Sequence, residues 1–173
     1  VYHGLSRYYD INVLHDLAEA ESGWDMTPRF SRKCLDYLPI DLNCLLYKYE
    51  TDFAWAARLR GDIKRANHWD ALAGHRRHTI TKFMWHNRKG FFFDYNHIKK
   101  SKGEVWSLAG FYTMWAGLAT KEQTPRMVKN LDKFEQTGGL TTTTRPLVDT
   151  SIFGSLRTQW AYPNGWAPLH MIV

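Results

Sequence analysis

The chain has 173 residues, 44% of them hydrophobic and 15% aromatic, and a formal net charge of +6. This length suits a single domain with a buried core, on a norm of roughly 100–200 residues per domain, and no apolar run approaches the roughly 18 residues that a membrane span needs. Only Cys34 and Cys44 are present, with neither Cys-x-x-Cys spacing nor an adjoining His pair, so no zinc site is read. Two free thiols are expected, with one bridge as the alternative. Cysteine usage therefore leaves the compartment open between cytoplasm and an exported location. The first residues do not form a signal peptide, and a secretory leader ahead of Val1 stays open.

Eight Trp, nine Tyr and nine Phe are more than packing alone requires. Flat aromatic faces suit sugars, whose C–H faces are apolar while their hydroxyls need donors and acceptors at the rim. The rival reading is an aromatic-rich core. Positive charge is concentrated between Arg58 and Lys102, where twelve Lys and Arg face only Asp62, Asp70 and Asp94, a local net of +9. No recognised nucleic-acid motif accompanies it. Outward basic helix faces are expected rather than a nucleic-acid footprint, with a basic α-solenoid as the rival.

In chain order, the first segment with chemical content is Glu21-Ser22-Gly23-Trp24-Asp25-Met26-Thr27-Pro28-Arg29-Phe30. Gly23 permits a tight or positive-φ backbone beside a large aromatic and a carboxylate, a loop that can present Asp25. Local chemistry equally allows Asp25 to be a turn or cap residue. Leu42, Leu45, Leu46, Tyr49, Phe53 and Ala56 then recur with helical spacing, and Gly61 stops that helix. Asp62 caps a second helix with Ile63, Ala66, Trp69, Ala73, Ile80 and Met84 on one side, so a helical hairpin is predicted. The Gly-bounded run Phe91-Phe92-Phe93-Asp94-Tyr95 reads as a short strand or extended loop.

Residues 104–119 are apolar on nearly every side and predict an inner helix, and residues 121–134 predict an amphipathic outer helix whose start either Thr120 or Thr124-Pro125 can supply. Gly138-Gly139 ends this unit, and Thr141 to Thr144 read as a short strand or loop. Gln159-Trp160-Ala161-Tyr162-Pro163-Asn164-Gly165-Trp166-Ala167-Pro168 concentrates amide, aromatic and turn residues ahead of a helix that begins at Pro168. It reads as a binding loop, or as a turn with Asn164 capping the helix and both Trp residues packed inside. The alternation of inner and outer helices gives an all-α fold of layered hairpins, with a repeat solenoid as the structural alternative.

The segment Gln-Trp-x-x-Pro-Asn-Gly-Trp-Ala-Pro at 159–168 closely resembles a signature of trehalases. Ser22-Gly23-Trp24-Asp25 resembles the segment holding the catalytic acid of that family, and Leu38-Pro39-Ile40-Asp41-Leu42-Asn43 resembles the stretch after it. Met84-Trp85 with Gly90 to Tyr95, and Trp115-Ala116-Gly117-Leu118-Ala119, resemble the intervening hairpins, so the resemblance covers nearly all of residues 20–173.

The resemblance implies an all-α chain forming about half of an (α/α)6 barrel of helical hairpins, with short β or loop excursions, as one partial catalytic domain over residues 1–173. It implies an inverting glycoside hydrolase that cleaves the α,α-1,1 bond of trehalose to glucose, needing no metal or cofactor. Asp25 would be the general acid, its pKa raised by an apolar or anionic surrounding for which Trp24 is a candidate wall. Gly23, Trp24, Trp160 and Trp166 would shape the sugar pocket, and Gln159 and Asn164 would bond sugar hydroxyls. Neither nucleic acid nor membrane is an expected partner.

Three departures qualify the resemblance. The catalytic base of the family, a Glu well beyond the 159–168 signature, has no counterpart in these residues. Leu5-Ser6-Arg7-Tyr8-Tyr9 resembles the start of a substrate-binding stretch that is compressed before the acid loop. Ala161 stands where trehalases commonly carry Asp, and Met26-Thr27-Pro28-Arg29 is nearer to related glucosidases. The alternatives are therefore an α-glucosidase or glucosylglycerate-type hydrolase on the same barrel, or an inactive sugar-binding homologue. Half a barrel leaves inner-helix surface uncovered, which predicts association with another copy or poor solubility.

Overall fold

The computed structural model describes residues 2–145 and 158–173. Its spine is a hairpin of two long helices, α2 (Ile40–Leu59) and α3 (Ile63–Met84), preceded by a short α1 (His15–Glu21). Between α2 and α3 the chain reverses through Gly61 at φ +74, a conformation that favours glycine. Asp62 then caps α3, its carboxylate accepting the Arg65 N–H at 3.0 Å. Pairs Arg58–Asp70 and Glu50–Arg76 fix the two helices antiparallel. The first turn of α2 and the last turn of α3 thus lie at one end of the hairpin, and the motif-bearing loops join the helices there.

The predicted hairpin is present, yet α2 is rotated from the face that hydrophobic spacing selects. Tyr49 and Phe53 are about half exposed, while Asp41, Asn43, Cys44, Tyr47 and Glu50 are buried. The physical reason is that these polar groups have fixed partners. Asn43 exchanges two hydrogen bonds with the Ser6 backbone at 2.8 and 2.9 Å. Glu50 takes a forked bond from Arg76, which also reaches the Gly4 carbonyl at 2.9 Å. Satisfied in this way, polar side chains occupy the interface at little cost. On α3, Ala66, Ala73, Ile80 and Met84 are buried as predicted, whereas Ile63 is exposed.

Beyond α3, short strands replace what would be a plain connection. β2 (Trp85–His86) pairs antiparallel with β3 (Phe91–Phe92), Trp85 opposite Phe92. β4 (Tyr95–Asn96) lies between β1 (Tyr37–Leu38) and β5 (Ser101–Lys102), antiparallel to both. The run Phe91-Phe92-Phe93 is wholly buried, Phe91 against Phe111, Phe134 and Trp106, Phe93 against Trp106, and Phe92 against Trp85. At about 1.5–3 kcal/mol for each fully buried large apolar side chain, this cluster outweighs any surface ion pair in the chain.

The predicted helices over 104–119 and 121–134 are not continuous. The first is a 3-10 turn (Leu108–Phe111) leading into a one-turn α4 (Tyr112–Trp115), and Ser107 instead bridges to Thr143. The second resolves into α5 (Thr124–Val128), begun by Pro125, and a 3-10 turn at Leu131–Lys133. Gly110 explains part of this. A Cβ there would meet the Phe91 ring at 2.4 Å, so the chain is pressed against β3. Gly117 adopts φ +70 and ends α4, while Leu118 and Ala119 donate back to the Thr113 carbonyl. A two-strand turn, β6 (Glu135–Gln136) with β7 (Gly139–Leu140), precedes the Thr run, and α6 (Ala167–Ile172) follows the 159–166 loop as predicted. Among the described residues no helix is long and apolar enough to cross a membrane.

Candidate active site

The Asp25 loop leaves α1 through Ser22 and Gly23, the latter at φ +73 with no contact within 4 Å of a Cβ there among the described residues. Ser22 Oγ accepts the Trp24 N–H at 3.0 Å, which turns Trp24 into the core and leaves Asp25 exposed. The Asp25–Met26 peptide is cis. Thr27 then caps a 3-10 turn (Pro28–Phe30), its hydroxyl accepting the Arg29 N–H at 3.3 Å.

Arg29 is the anchor of this loop. Its guanidinium is buried and grips two carboxylates: Nη1 and Nη2 donate to Asp41 at 3.1 and 2.8 Å, and Nε and Nη2 to Asp94 at 3.0 and 2.7 Å. Asp94 also accepts the Ile40 N–H at 2.9 Å. One residue cluster therefore locks the Asp25 loop, the start of α2 and the β3–β4 connection together, with a net formal charge of −1. Burial opposes the guanidinium charge, yet Asp41 and Asp94 outweigh it and hold the Arg29 pKa well above its ordinary value.

Surrounding groups respond in the same sense. Burial, aided by Asp41, raises the pKa values of Tyr8 and Tyr112, so both phenols stay neutral. Cys34 and Cys44 are free and buried. Burial and the nearby Glu19 charge push the Cys34 thiol up to about 12, and burial with Asp41 drives Cys44 well above its usual value. Neither is a nucleophile at neutral pH.

The second motif folds onto the first. Thr142 donates to the Asn164 carbonyl through both its N–H and its hydroxyl at 2.8 Å, and Tyr162 N–H donates to Thr143 Oγ1 at 3.0 Å. Within the loop the Gln159 carbonyl collects Asn164 Nδ2 and Trp166 Nε1, both at 3.1 Å. Trp160 N–H donates to the Met26 carbonyl at 3.1 Å, and Thr27 Oγ1 donates to the Trp160 carbonyl at 3.2 Å. A contiguous row of groups results: the Arg29 guanidinium lies 4.2 Å from the Trp24 ring, Trp24 lies 5.0 Å from Trp160 with the rings tilted by 46°, and Trp160 stacks on Trp166 at 4.7 Å.

Two segments 135 residues apart, at Asp25 and Trp160, are therefore one structure. Gly23, Trp24, Asp25, Trp160 and Trp166 are brought together. Gln159 and Asn164 are both exposed, and Asn164 uses its amide to brace the loop; α6 is capped at Trp166 without a side-chain bond, so Asn164 is not its cap. A surface recess of about 520 Å³ lined by Trp85 to Lys89 and Lys102 to Glu104 includes no residue of either motif.

Sequence reasoning passed over Glu19, Arg29, Asp41 and Asp94 as site builders. For Asp94 the available signal was a carboxylate directly after three buried Phe residues, which demands a cationic partner. Glu19, on α1, had no such mark.

The trehalase family profile matches residues 9–173. The chain belongs to the trehalase family. It is 44% identical over 172 residues to the cytosolic neutral trehalase of Saccharomyces cerevisiae, covering 92% of this chain and 23% of that protein. Against a probable trehalase of Eremothecium gossypii it is 42% identical over 170 residues, with the same two coverages. The solved neutral trehalase from Saccharomyces cerevisiae superposes with a TM-score of 0.83 at 41% identity, covering 92% of this chain and 31% of that one. A mannosylglycerate hydrolase from Thermus thermophilus shares the fold alone, with a TM-score of 0.63 at 14% identity over 91% of this chain and 37% of that one. This trehalase-family chain thus spans about a quarter of the length of the curated relatives it matches.

Proposed function

We propose that this chain is part of the catalytic domain of an inverting hydrolase that cleaves the α,α-1,1 bond of trehalose, with Asp25 as general acid. The observation that carries this reading is the docking of the 159–166 loop on the acid loop. It puts an exposed carboxyl on the same loop that packs Trp24 against the row of Trp160 and Trp166. The partly exposed Trp166 at the outer end of this row receives the apolar face of a glucose ring, with buried Trp24 backing the row from inside, while the carboxyl protonates the departing glycosidic oxygen. The second carboxylate, which activates water from the opposite side at roughly 6.5–9.5 Å, is assigned to a part of the (α/α)6 barrel that these residues do not form. Relatives named cytosolic neutral trehalases support a cytosolic location.

The test is glucose release from trehalose by the longest natural protein carrying this chain, beside its Asp25→Asn variant. Loss of the general acid lowers kcat by about 100-fold or more while the shape of the site is kept. Full activity in the variant removes Asp25 from the role. An inert parent that hydrolyses other α-glucosides moves the substrate, not the reaction class.

A further inference from the structure

Glu19 is a buried carboxyl that no step of the proposed chemistry uses. It is 1% exposed, on the inner face of α1. One oxygen accepts the Thr27 N–H at 2.7 Å, and the other has no hydrogen-bond partner among the described residues. A buried carboxyl with a single partner is costly compared with an apolar side chain of similar volume. What the residue accomplishes is mechanical. Thr27 lies two residues after Asp25, and its hydroxyl is bonded to the Trp160 carbonyl, while Trp160 N–H holds Met26. On the other side of Asp25, Ser22 Oγ holds Trp24 N–H and itself donates to the Glu19 carbonyl. Glu19 therefore contacts both flanks of the acid loop, through its main chain before Asp25 and its side chain after it.

We infer that Glu19 is a positioning residue, which fixes the Asp25 carboxyl relative to the Trp160 loop by holding the Thr27 amide. The inference rests on Asp25 being the general acid. Arg29 fixes the far end of the loop to the core, so Glu19 sets the segment between the anchor and α1. Without it the Thr27 N–H loses its buried acceptor and the two-residue span to Asp25 gains freedom. Misplacement of a reacting group by about 1 Å costs on the order of 100-fold in rate.

The experiment compares the parent with Glu19→Ala, Glu19→Gln and Asp25→Asn in the longest natural protein carrying this chain. Two substrates are used: trehalose, whose leaving sugar needs a proton, and α-glucosyl fluoride, whose fluoride departs without one. For Glu19→Ala, kcat on trehalose falls about 10–100-fold with KM little changed, and the loss on the fluoride is much smaller. Glu19→Gln, which keeps an acceptor for Thr27 N–H, restores most of the activity. Equal losses on both substrates reduce Glu19 to general structure and overturn the inference, as does a folded Glu19→Ala with parental kcat. If Glu19→Ala does not fold, Glu19→Asp, which retracts the carboxyl, must show the same selectivity for trehalose or the inference fails. Asp25→Asn reports separately on the acid: without its own selective rescue on the fluoride, the acid reading falls and takes the positioning role with it.

Discussion

Where α2 begins, Asp41 is sealed between Arg29 and the core. Seventeen residues on, near the hairpin tip, Arg58 pairs with Asp70 while 48% and 43% of the two side chains remain in water. Around the tip Phe53, Trp55, Leu59 and Ile63 are all at least half exposed. Both ends carry charge, but only the first uses it to join segments distant in sequence. Residues 29, 41 and 94 converge there through charge-assisted bonds, each shielded from solvent. Ion pairs in water contribute little, whereas breaking a buried one leaves a charge with neither water nor partner. The motif-bearing end is thus held by interactions whose value depends on all members being present.

Breaking that contrast at its strongest point has the largest effect. Arg29→Met leaves Asp41 and Asp94 buried without their cation and is expected to destabilise the protein by about 3–5 kcal/mol in denaturant unfolding. A change no larger than that of a surface pair would mean water reaches the cluster.

Glu19 lies between the extremes, buried but half satisfied. Burial raises its pKa against the opposing pull of the Thr27 N–H. The folded state therefore holds the Glu19 proton more tightly than the unfolded chain does. Its contribution to stability is full below the ordinary carboxylate pKa and is lost as pH rises through the raised value. Stability measured against pH should fall less steeply above the ordinary carboxylate range in Glu19→Gln than in the parent. Parallel curves would show that Glu19 has water access. The smallest effect belongs to Arg58→Ala, expected to cost about 0.2–1 kcal/mol and less as salt is added. A larger, salt-independent loss would end the distinction between the two ends.

The sequence made the α2–α3 hairpin legible because Gly61, Asp62 and a 3.6-residue period are local signals. It concealed which face of α2 is inside, because Asp41, Asn43 and Glu50 are buried by partners at positions 29, 6 and 76 that periodicity does not see. The helix expected over 104–119 failed for a related reason. Its Gly110 is committed to Phe91, a contact that hydrophobic content alone cannot reveal. Trp24, Asp25, Trp160 and Trp166 stood out in the sequence as candidates because their motifs are compact. Glu19, Arg29, Asp41 and Asp94 were passed over because their work is done across the fold.

The Gly61 reversal gives the molecule a natural handle. Twenty residues of α2 rise about 30 Å from the Asp25-loop end to the tip, and a Cβ at Gly61 would meet nothing within 4 Å among the described residues. A few residues spliced between Gly61 and Asp62, or a dye attached there, would ride at the far end of a rigid lever. A reporter at that point can follow the hairpin without entering the chemistry.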